Sequence, residues 1–269
     1  MYEAYWGLRE KPLENTPDPR FFYRSPACAE VYARLLHALR GNRGAALLTG
    51  AAGCGKTLMA RVLLQELGPE RTEVALVHHP CRTPEEFLRE VLYQLGEDGR
   101  SEDRPQVVHR LHEVLYANHA AGKDTILVVD EGQTFAEPAI FEEVRLLLNF
   151  QLNDAFLITV LLLGQEALAE KVRGYPPLDQ RLATRGALLP LRREEVSQYL
   201  AHRLRVAGGR EPIFTPEAVE AVYEYSGGVP RRINNICDIA LLVGFSRQLE
   251  EIDAEWMRRL IQAEQGHAP

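Results

Sequence analysis

The sequence predicts an α/β fold in which helices flank a parallel sheet and a smaller all-helical domain follows. Short apolar segments alternate with segments of helical periodicity through most of the chain. Continuous apolar strands separated by helices are typical of a parallel sheet that is covered on both faces. From about residue 191 the strand signal stops and four helical segments follow. We therefore expect a first domain over 1–190, including the N-terminal segment 1–43, and a helical domain over 191–269.

Five segments have the length and apolar character of buried strands. They lie at about 45–49, 73–78, 125–130, 156–163 and 186–189. Helical segments separate them along the chain, as the crossovers between parallel strands require. The sequence therefore predicts a five-stranded parallel sheet.

Capping signals mark the start of two helices. Ser25 is the expected N-cap and Pro26 the first helical residue of "SPACAEVYARLLHALRG". Thr83 and Glu86 have the spacing of a capping box in "TPEEFLREVLYQL". The other predicted helices are "KTLMARVLLQEL", "PQVVHRLHEVLYANHA", "PAIFEEVRLLLNF", "REEVSQYLAHRLRVAG", "TPEAVEAVYEYSGG", "VPRRINNICDIALLVGFSR" and "DAEWMRRLIQAE".

Size and charge limit the functional classes. The 269 residues are 46% hydrophobic, which is enough for substantial cores. The formal net charge of −7 excludes a global basic surface for nucleic acid but leaves local basic patches open. Four cysteines without CxxC or zinc-site spacing are expected to be free thiols of a reducing compartment. With no signal peptide and no apolar run long enough to span a membrane, we expect a cytoplasmic protein.

A glycine-rich loop joins the first strand to a helix. "GAAGCGKT" at 50–57 fits the pattern G-x-x-x-x-G-K-[ST] in the strand–loop–helix context that this pattern requires. Glycines let successive N–H groups form a nest for phosphate oxygens, and the helix dipole adds positive potential. Lys56 is expected to reach the β- and γ-phosphates, and the Thr57 hydroxyl to ligate Mg²⁺. The predicted nucleotide-binding residues are Gly50, Ala51, Ala52, Gly53, Cys54, Gly55, Lys56, Thr57 and Leu58.

Two carboxylates end the third predicted strand, in "ILVVDE". Carboxyl ends of parallel strands share one edge of the sheet, so Asp130 and Glu131 should lie at the edge where the glycine-rich loop begins. Asp130 is expected to hold Mg²⁺ through its water shell, and Glu131 to polarise the attacking water. The alternative is an ordinary acidic turn, which the upstream loop disfavours.

Three further polar residues follow from the same geometry. Gln165 ends the next strand in "LLLGQ", where its side chain would reach the attacking water and the γ-phosphate; it could also be a simple turn residue. Arg181 and Arg185 in "LDQRLATRG" lie just before the last predicted strand. An arginine that reaches the γ-phosphate of a neighbouring subunit would stabilise transition-state charge. The alternative is that both arginines are solvated.

Together these motifs resemble the AAA+ ATPases, and more specifically the general secretion pathway protein A (ExeA-like) family. The resemblance is carried by "MYEAYWGLREKPLENTPDPRFFYRSPACAEVYARL", "VVDEGQ", "EEVRLLLNFQ", "VLLLGQEAL", "LDQRLATR" and "GGVPRRINNICDIALL". These segments run along nearly the whole chain. The resemblance implies a P-loop NTPase domain with a helical lid, bound ATP and Mg²⁺, and a homo-oligomer.

The resemblance also assigns roles to individual residues. Arg231 matches the sensor-2 position, which implies contact with the nucleotide phosphates; a cation at a helix start is disfavoured by the dipole, which agrees with a nearby anion. Phe22 and Tyr23 match the segment that lines the adenine pocket, although core packing would explain them equally well. Arg181 matches the position of the arginine finger, the residue that reaches the γ-phosphate of a neighbouring subunit. Arg185 is the second candidate for this role. Gln133 of "DEGQ" implies a link between nucleotide state and a partner.

We therefore predict Mg-dependent ATP hydrolysis by an oligomeric AAA+ switch, a ring or filament, that drives or regulates assembly of a protein machine of the secretion or envelope type.

The alternative is an ATP-dependent, DNA-binding transposition regulator (TniB- or TnsC-like) that binds double-stranded DNA. Arginine pairs at 40 and 43 and at 192 and 193 could line a DNA-facing surface or could simply be solvated. Secretion members continue into a membrane span and a periplasmic region that this sequence lacks, which favours the alternative. A third reading, nucleotide binding without turnover, is disfavoured by intact Lys56, Asp130 and Glu131.

Overall fold

The computed structural model describes residues 1–78, 81–99, 103–135, 138–153, 155–209 and 212–266. Two compact units are present. The sheet unit comprises Ala27–Ala52 and Met59–Leu188, and the helical unit comprises Met1–Pro26, Gly53–Leu58 and Leu189–Pro269. The helices are α1 Pro26–Arg40, α2 Lys56–Leu67, α3 Pro84–Gln94, α4 Arg104–Ala120, α5 Pro138–Leu147, α6 Glu166–Arg173, α7 Pro176–Asp179, α8 Arg193–Val206, α9 Pro216–Ser226, α10 Pro230–Ser246 and α11 Ala254–Gly266.

The sheet is parallel and has the strand order β2-β3-β4-β1-β5. Its strands are β1 Ala45–Gly50, β2 Thr72–Val77, β3 Asp124–Val129, β4 Thr159–Gly164 and β5 Leu182–Leu188. Two of the four crossover connections pass over other strands: the connection from β1 to β2 passes β4 and β3, and that from β4 to β5 passes β1. The predicted fold class is confirmed.

Both faces of the sheet are buried. On one face, alternate residues such as Leu47, Val77, Leu127 and Leu162 belong to a core that also contains side chains of α3 to α6. The intervening residues, among them Leu48, are buried as well. Burial of both alternate sets explains why these strands read as continuous apolar runs rather than alternating ones.

Two strand boundaries differ from the prediction. The last strand starts at Leu182 rather than near 186, because it is an edge strand whose first residues are polar or exposed and carry no apolar signal. The fourth strand starts at Thr159 rather than near 156. Phe156 instead forms an isolated antiparallel bridge with Gln151.

The helix starts largely follow the capping signals. Thr83 Oγ1 accepts the N–H of Glu86 at 3.2 Å, as predicted for the cap of α3. The Glu86 carboxylate accepts the N–H of Arg82 at 2.8 Å, one residue before the cap. The short helices α6 and α7 were not predicted.

The N-terminal segment folds with the helical unit. Tyr2, Leu8, Leu13 and Phe21 are buried in the same core as side chains of α8 to α11. The sequence analysis grouped 1–43 with the nucleotide-binding domain, whereas the structure places Met1–Pro26 with the C-terminal helices. The physical reason is long-range apolar packing, which no local periodicity reveals. The contact units of the structure thus differ from the predicted domains in the unit to which residues 1–26 belong.

A buried arginine joins this segment to α8. Arg203 is 4% exposed, and its guanidinium donates to the carbonyl oxygens of Pro12 at 2.6 Å and Glu14 at 2.8 Å. It also donates to the Tyr199 hydroxyl at 3.0 Å and lies over the Phe21 ring at 4.9 Å. The charge is thus satisfied by carbonyl dipoles and an aromatic face.

Candidate nucleotide-binding site

The glycine-rich loop leaves the carboxyl end of β1 and runs into the start of α2 at Lys56. Gly53 and Gly55 have φ angles of 83° and 92°, in the left-handed region that glycine adopts without strain. A Cβ added at Gly50 would lie 2.5 Å from the Leu188 carbonyl oxygen. Lys56 is 5% exposed. The local geometry therefore requires glycine at these positions and shields the base of the lysine from solvent.

Within the helical unit, the loop contacts the first turn of α10. The Arg231 N–H donates to the Gly53 carbonyl oxygen at 3.2 Å. A Cβ added at Gly53 would lie 2.7 Å from Arg231 Cβ and 3.3 Å from a Val229 methyl carbon. The structure thus brings the predicted sensor-2 residue beside the loop that it was expected to serve. In the part of the chain that the structure describes, exposed Arg231 forms no ion pair.

A tight turn positions this arginine. Gly227 and Gly228 both have left-handed φ angles, and the Gly228 carbonyl oxygen accepts the N–H of Leu191 at 2.9 Å. A Cβ added at Gly228 would lie only 2.0 Å from the Leu191 carbonyl oxygen. Only glycine fits here, so "GGVP" fixes where α10 begins.

The two predicted acidic residues follow β3 within the sheet unit. The Asp130 N–H donates to the Val77 carbonyl oxygen at 2.8 Å, which extends the pairing with β2. The Asp130 carboxylate accepts the N–H of Glu131 at 2.9 Å. Glu131 is exposed and has φ 52° and ψ 36°, a conformation uncommon outside glycine. The chain therefore turns sharply between the two carboxylates.

Gln133 connects the third and fourth strand ends. Its amide nitrogen donates to the Glu131 carboxylate, and its amide oxygen accepts the N–H of Gln165 at 3.0 Å. Gln165 is the N-cap residue of α6 and makes no side-chain capping bond. The structure thus joins Glu131 and Gln165, which were predicted separately, through a third side chain.

A lysine fixes the turn that carries Gln133. The Lys171 ammonium of α6 donates to the carbonyl oxygens of Gln133 at 2.6 Å and Phe135 at 3.0 Å. A Cβ added at Gly164 would lie 2.6 Å from Gln133 Oε1. The sequence analysis missed Lys171 and Gly164. Lys171 lies in no recognisable motif, and "VLLLGQEAL" contains Gly164 without indicating its role, so only the folded contacts reveal what these two residues do.

The oxygen donors fit Mg²⁺. Asp130 supplies a carboxylate and Thr57 a hydroxyl, and Mg²⁺ prefers one or two protein oxygens completed by water and phosphate. Among the residues that the structure describes, no group of three or more His, Cys, Asp or Glu could hold a metal ion.

Arg181 lies at the opposite end of the sheet from the start of the loop. Its carbonyl oxygen accepts the N–H of Ala45, the first residue of β1, while the loop follows Gly50, the last. Six residues of strand separate the two ends by about 17 Å. The Arg181 guanidinium donates to Asn149 Oδ1 at 2.9 Å.

Arg185 lies within β5, and its guanidinium forms an ion pair with Asp179 at 2.7 Å. It is half-exposed and borders a cavity of about 410 Å³ that Arg34 and Arg173 also line. A guanidinium held by a neighbouring carboxylate on its own subunit is less free to reach another subunit. Both predicted finger residues are thus held by groups of their own subunit, Arg185 by Asp179 and Arg181 by Asn149.

The two aromatic residues expected at the adenine pocket, Phe22 and Tyr23, have different surroundings. The Tyr23 hydroxyl donates to Gln198 Oε1 at 2.7 Å, and its ring lies against those of Tyr199 and His202. Burial raises the pKa of Tyr23, because the phenolate would lose hydration. Phe22 is half-buried beneath the Arg24 guanidinium. Tyr23 is thus held largely by packing, and Phe22 remains a candidate for contact with a base.

Comparisons with known proteins agree with this geometry. The family model described as AAA domain matches residues 39–172. Two solved structures from Aeropyrum pernix share the fold: the ORC2 protein in ADPNP-ADP complexes (TM-score 0.71, 15% identity, 97% of this chain and 75% of that one) and the ORC1 protein in complex with DNA (TM-score 0.71, 17% identity, 96% and 69%). Residues 39–172 therefore form an AAA domain, the ATPase domain that the phosphate loop and the parallel sheet also indicate.

One protein to which the chain is similar in sequence is General secretion pathway protein A of Aeromonas hydrophila. The chain is 38% identical to it over 256 residues, which cover 94% of this chain and 46% of that protein. The chain therefore spans about half the length of this relative. The predicted resemblance to the general secretion pathway protein A family is confirmed. Among the described residues no helix has the length and apolarity needed to cross a membrane.

Proposed function

We propose that the protein hydrolyses ATP with Mg²⁺ and that an ATP-dependent homo-oligomer drives or regulates assembly of another protein machine. One observation carries the proposal: in a single parallel sheet, the phosphate loop begins at the carboxyl end of β1, Asp130 and Glu131 follow β3, and Gln165 follows β4. Strand ends of one parallel sheet meet at one edge, which is where such folds bind ligands.

Each residue then has a distinct task. The N–H groups of the glycine-rich loop and the Lys56 ammonium hold the phosphates, and Arg231 adds positive charge from the first turn of α10. Thr57 and Asp130 would hold Mg²⁺, which neutralises charge on the phosphate oxygens. Glu131 orients and polarises the attacking water, and Gln165 senses the γ-phosphate.

The position of Arg181 supports action between subunits. It lies at the amino edge of the sheet, about 17 Å along β1 from the start of its own phosphate loop. An arginine at that edge cannot swing through a packed sheet, so it would serve the nucleotide of a neighbour. Hydrolysis would then depend on assembly.

The partner is proposed from the relative. Identity of 38% to General secretion pathway protein A supports a protein machine of the secretion or envelope type. In the described structure Cys28, Cys54, Cys81 and Cys237 form no disulfide, which supports the proposal of a reducing, cytoplasmic location.

Binding of double-stranded DNA in transposition remains the alternative, and the solved ORC1 neighbour is a DNA complex. Two of the four arginines considered for DNA are already engaged by carboxylates: Arg40 with Glu66 at 3.1 Å and Arg193 with Glu220 at 3.0 Å. These pairs are exposed and weak, but they lower the positive potential available to phosphates. A protein partner is therefore the preferred reading.

ATP turnover measured over a range of protein concentration tests the proposal, with Glu131→Gln as the blank. Turnover per subunit should rise with concentration and stay unchanged on adding double-stranded DNA. A salt-sensitive rise with DNA would favour the transposition reading. A rate per subunit that is independent of concentration, in a protein that stays monomeric with ATP, would contradict the oligomeric switch.

A further inference from the structure

We propose that Gln133 is a positioning residue that holds Glu131 in a resting position and couples its release to the β4–α6 junction at Gln165. This inference rests on the proposed ATPase function and concerns the regulation of the same site. It requires that one amide engages both residues and that the surroundings keep the amide in place.

Both ends of the Gln133 amide are occupied. The NH₂ group donates to the Glu131 carboxylate, and the oxygen accepts the Gln165 N–H at 3.0 Å. A glutamine amide can donate and accept at once, whereas a carboxylate only accepts and an alkyl chain does neither. The bridge therefore depends on the chemistry of this side chain.

The backbone on both sides is fixed. Thr134 donates to the Glu131 carbonyl oxygen through its N–H at 2.9 Å and its hydroxyl at 2.8 Å. Lys171 holds the Gln133 carbonyl oxygen from α6. The missing side chain at Gly164 leaves the space that the amide oxygen fills. These contacts leave the amide little freedom to turn away while α6 keeps its place.

The hydrogen bond from Gln133 occupies a carboxylate oxygen of Glu131 that the attacking water would otherwise contact. A carboxylate oxygen that accepts a hydrogen bond from an amide has one site fewer for the attacking water, and general-base action requires direct contact with that water. Rotation of Glu131 away from Gln133 would restore the contact. Because the same amide binds the Gln165 N–H, a shift of the β4–α6 junction toward a γ-phosphate would strain or break the bridge.

Three variants separate the two halves of the bridge. Gln133→Ala removes both bonds, whereas Gln133→Glu keeps an acceptor for Gln165 and places a like charge beside Glu131. Gln94→Ala is the matched control, because the Gln94 amide also donates to a carboxylate, that of Glu90, at 2.8 Å in α3.

Turnover and nucleotide affinity are measured on the full chain, with affinity for a fluorescent ATP analogue determined separately. Both Gln133 variants should raise basal turnover about tenfold, which corresponds to about 1.4 kcal/mol in the barrier. Affinity should change less than twofold. Gln94→Ala should behave as wild type. Unchanged or lower basal turnover in both Gln133 variants would overturn the proposal.

Hydrogen exchange of the Gln165 N–H, without nucleotide, tests the bridge independently of catalysis. Exchange should be faster in Gln133→Ala and unchanged in Gln133→Glu. Equal exchange in wild type and Gln133→Ala would overturn the bridge. If wild type turns over ATP no faster than Glu131→Gln, the proposed function itself fails, and the exchange comparison alone decides on the bridge.

Discussion

Replacing Arg203 with methionine should destabilise the helical unit strongly. Methionine replaces the apolar stem of arginine but has no donor, so it leaves the carbonyl oxygens of Pro12 and Glu14 without this partner and the Tyr199 hydroxyl with only its bond to Asn234. Each buried acceptor left unsatisfied costs about 1–3 kcal/mol. Methionine also removes the desolvation cost of the buried guanidinium charge, and this gain offsets part of the loss. We therefore expect a loss of about 3–5 kcal/mol in the free energy of unfolding, a large share of the roughly 5–15 kcal/mol of a typical domain.

Urea unfolding followed by tryptophan fluorescence measures this loss, since both tryptophans of the chain, Trp6 and Trp256, lie in the helical unit. The matched control is Arg259→Met. The Arg259 side chain is 69% exposed and pairs only with Glu255 in the described structure, so its loss should change stability by about 0.5 kcal/mol or less.

Trypsin provides a second readout, because Arg9 and Arg20 lie in the N-terminal segment that Arg203 anchors. Cleavage at these residues should be faster in Arg203→Met than in the control. A loss below about 1 kcal/mol, together with unchanged cleavage, would refute the anchoring role.

The remaining predictions concern the site and the thiols. Lys56→Ala should weaken binding of an ATP analogue at least tenfold, about 1.4 kcal/mol, without lowering Tm; calorimetric titration and thermal unfolding check this. Arg181→Ala should abolish turnover and leave ATP affinity nearly unchanged, whereas a large loss of affinity would place Arg181 on its own subunit's nucleotide. With a thiol reagent at pH 8, Cys28 should react first. Burial raises the pKa of Cys81 to about 11 and raises the pKa of Cys237, so both hold little reactive thiolate until the protein is denatured; rapid labelling of either in native protein would contradict this.

The central strands and the site motifs were predictable from the sequence. β1 and β3 are buried on both faces, so each carries an uninterrupted apolar signal, and each ends in residues with recognisable chemistry. Lys56 begins α2 as predicted, and the Arg231 backbone contacts the loop at Gly53. The local sequence pattern was sufficient to predict these strands and motifs because the candidate site is built from short contiguous segments.

The features that the sequence did not predict depend on contacts between residues far apart in the chain. The first residues of β5 are exposed at a sheet edge and lack the apolar pattern that marks a buried strand. The amide bridge of Gln133 requires that Gln165 be beside it, which only the pairing of β3 with β4 brings about. The placement of Leu13 and Phe21 in the helical unit likewise follows from tertiary packing rather than periodicity.

The folding of Met1–Pro26 with the C-terminal helices has a consequence for synthesis. Tyr2 hydrogen-bonds Asp238, 236 residues later, so its segment leaves the ribosome long before the helix that it packs against. At about 5–20 residues per second the delay lasts roughly 10–50 s, during which Leu8, Leu13 and Phe21 have no core to enter. A nascent chain would therefore expose the apolar side chains of this segment to chaperones until the helices of the helical unit are made, and a chain terminated before those helices would never bury them.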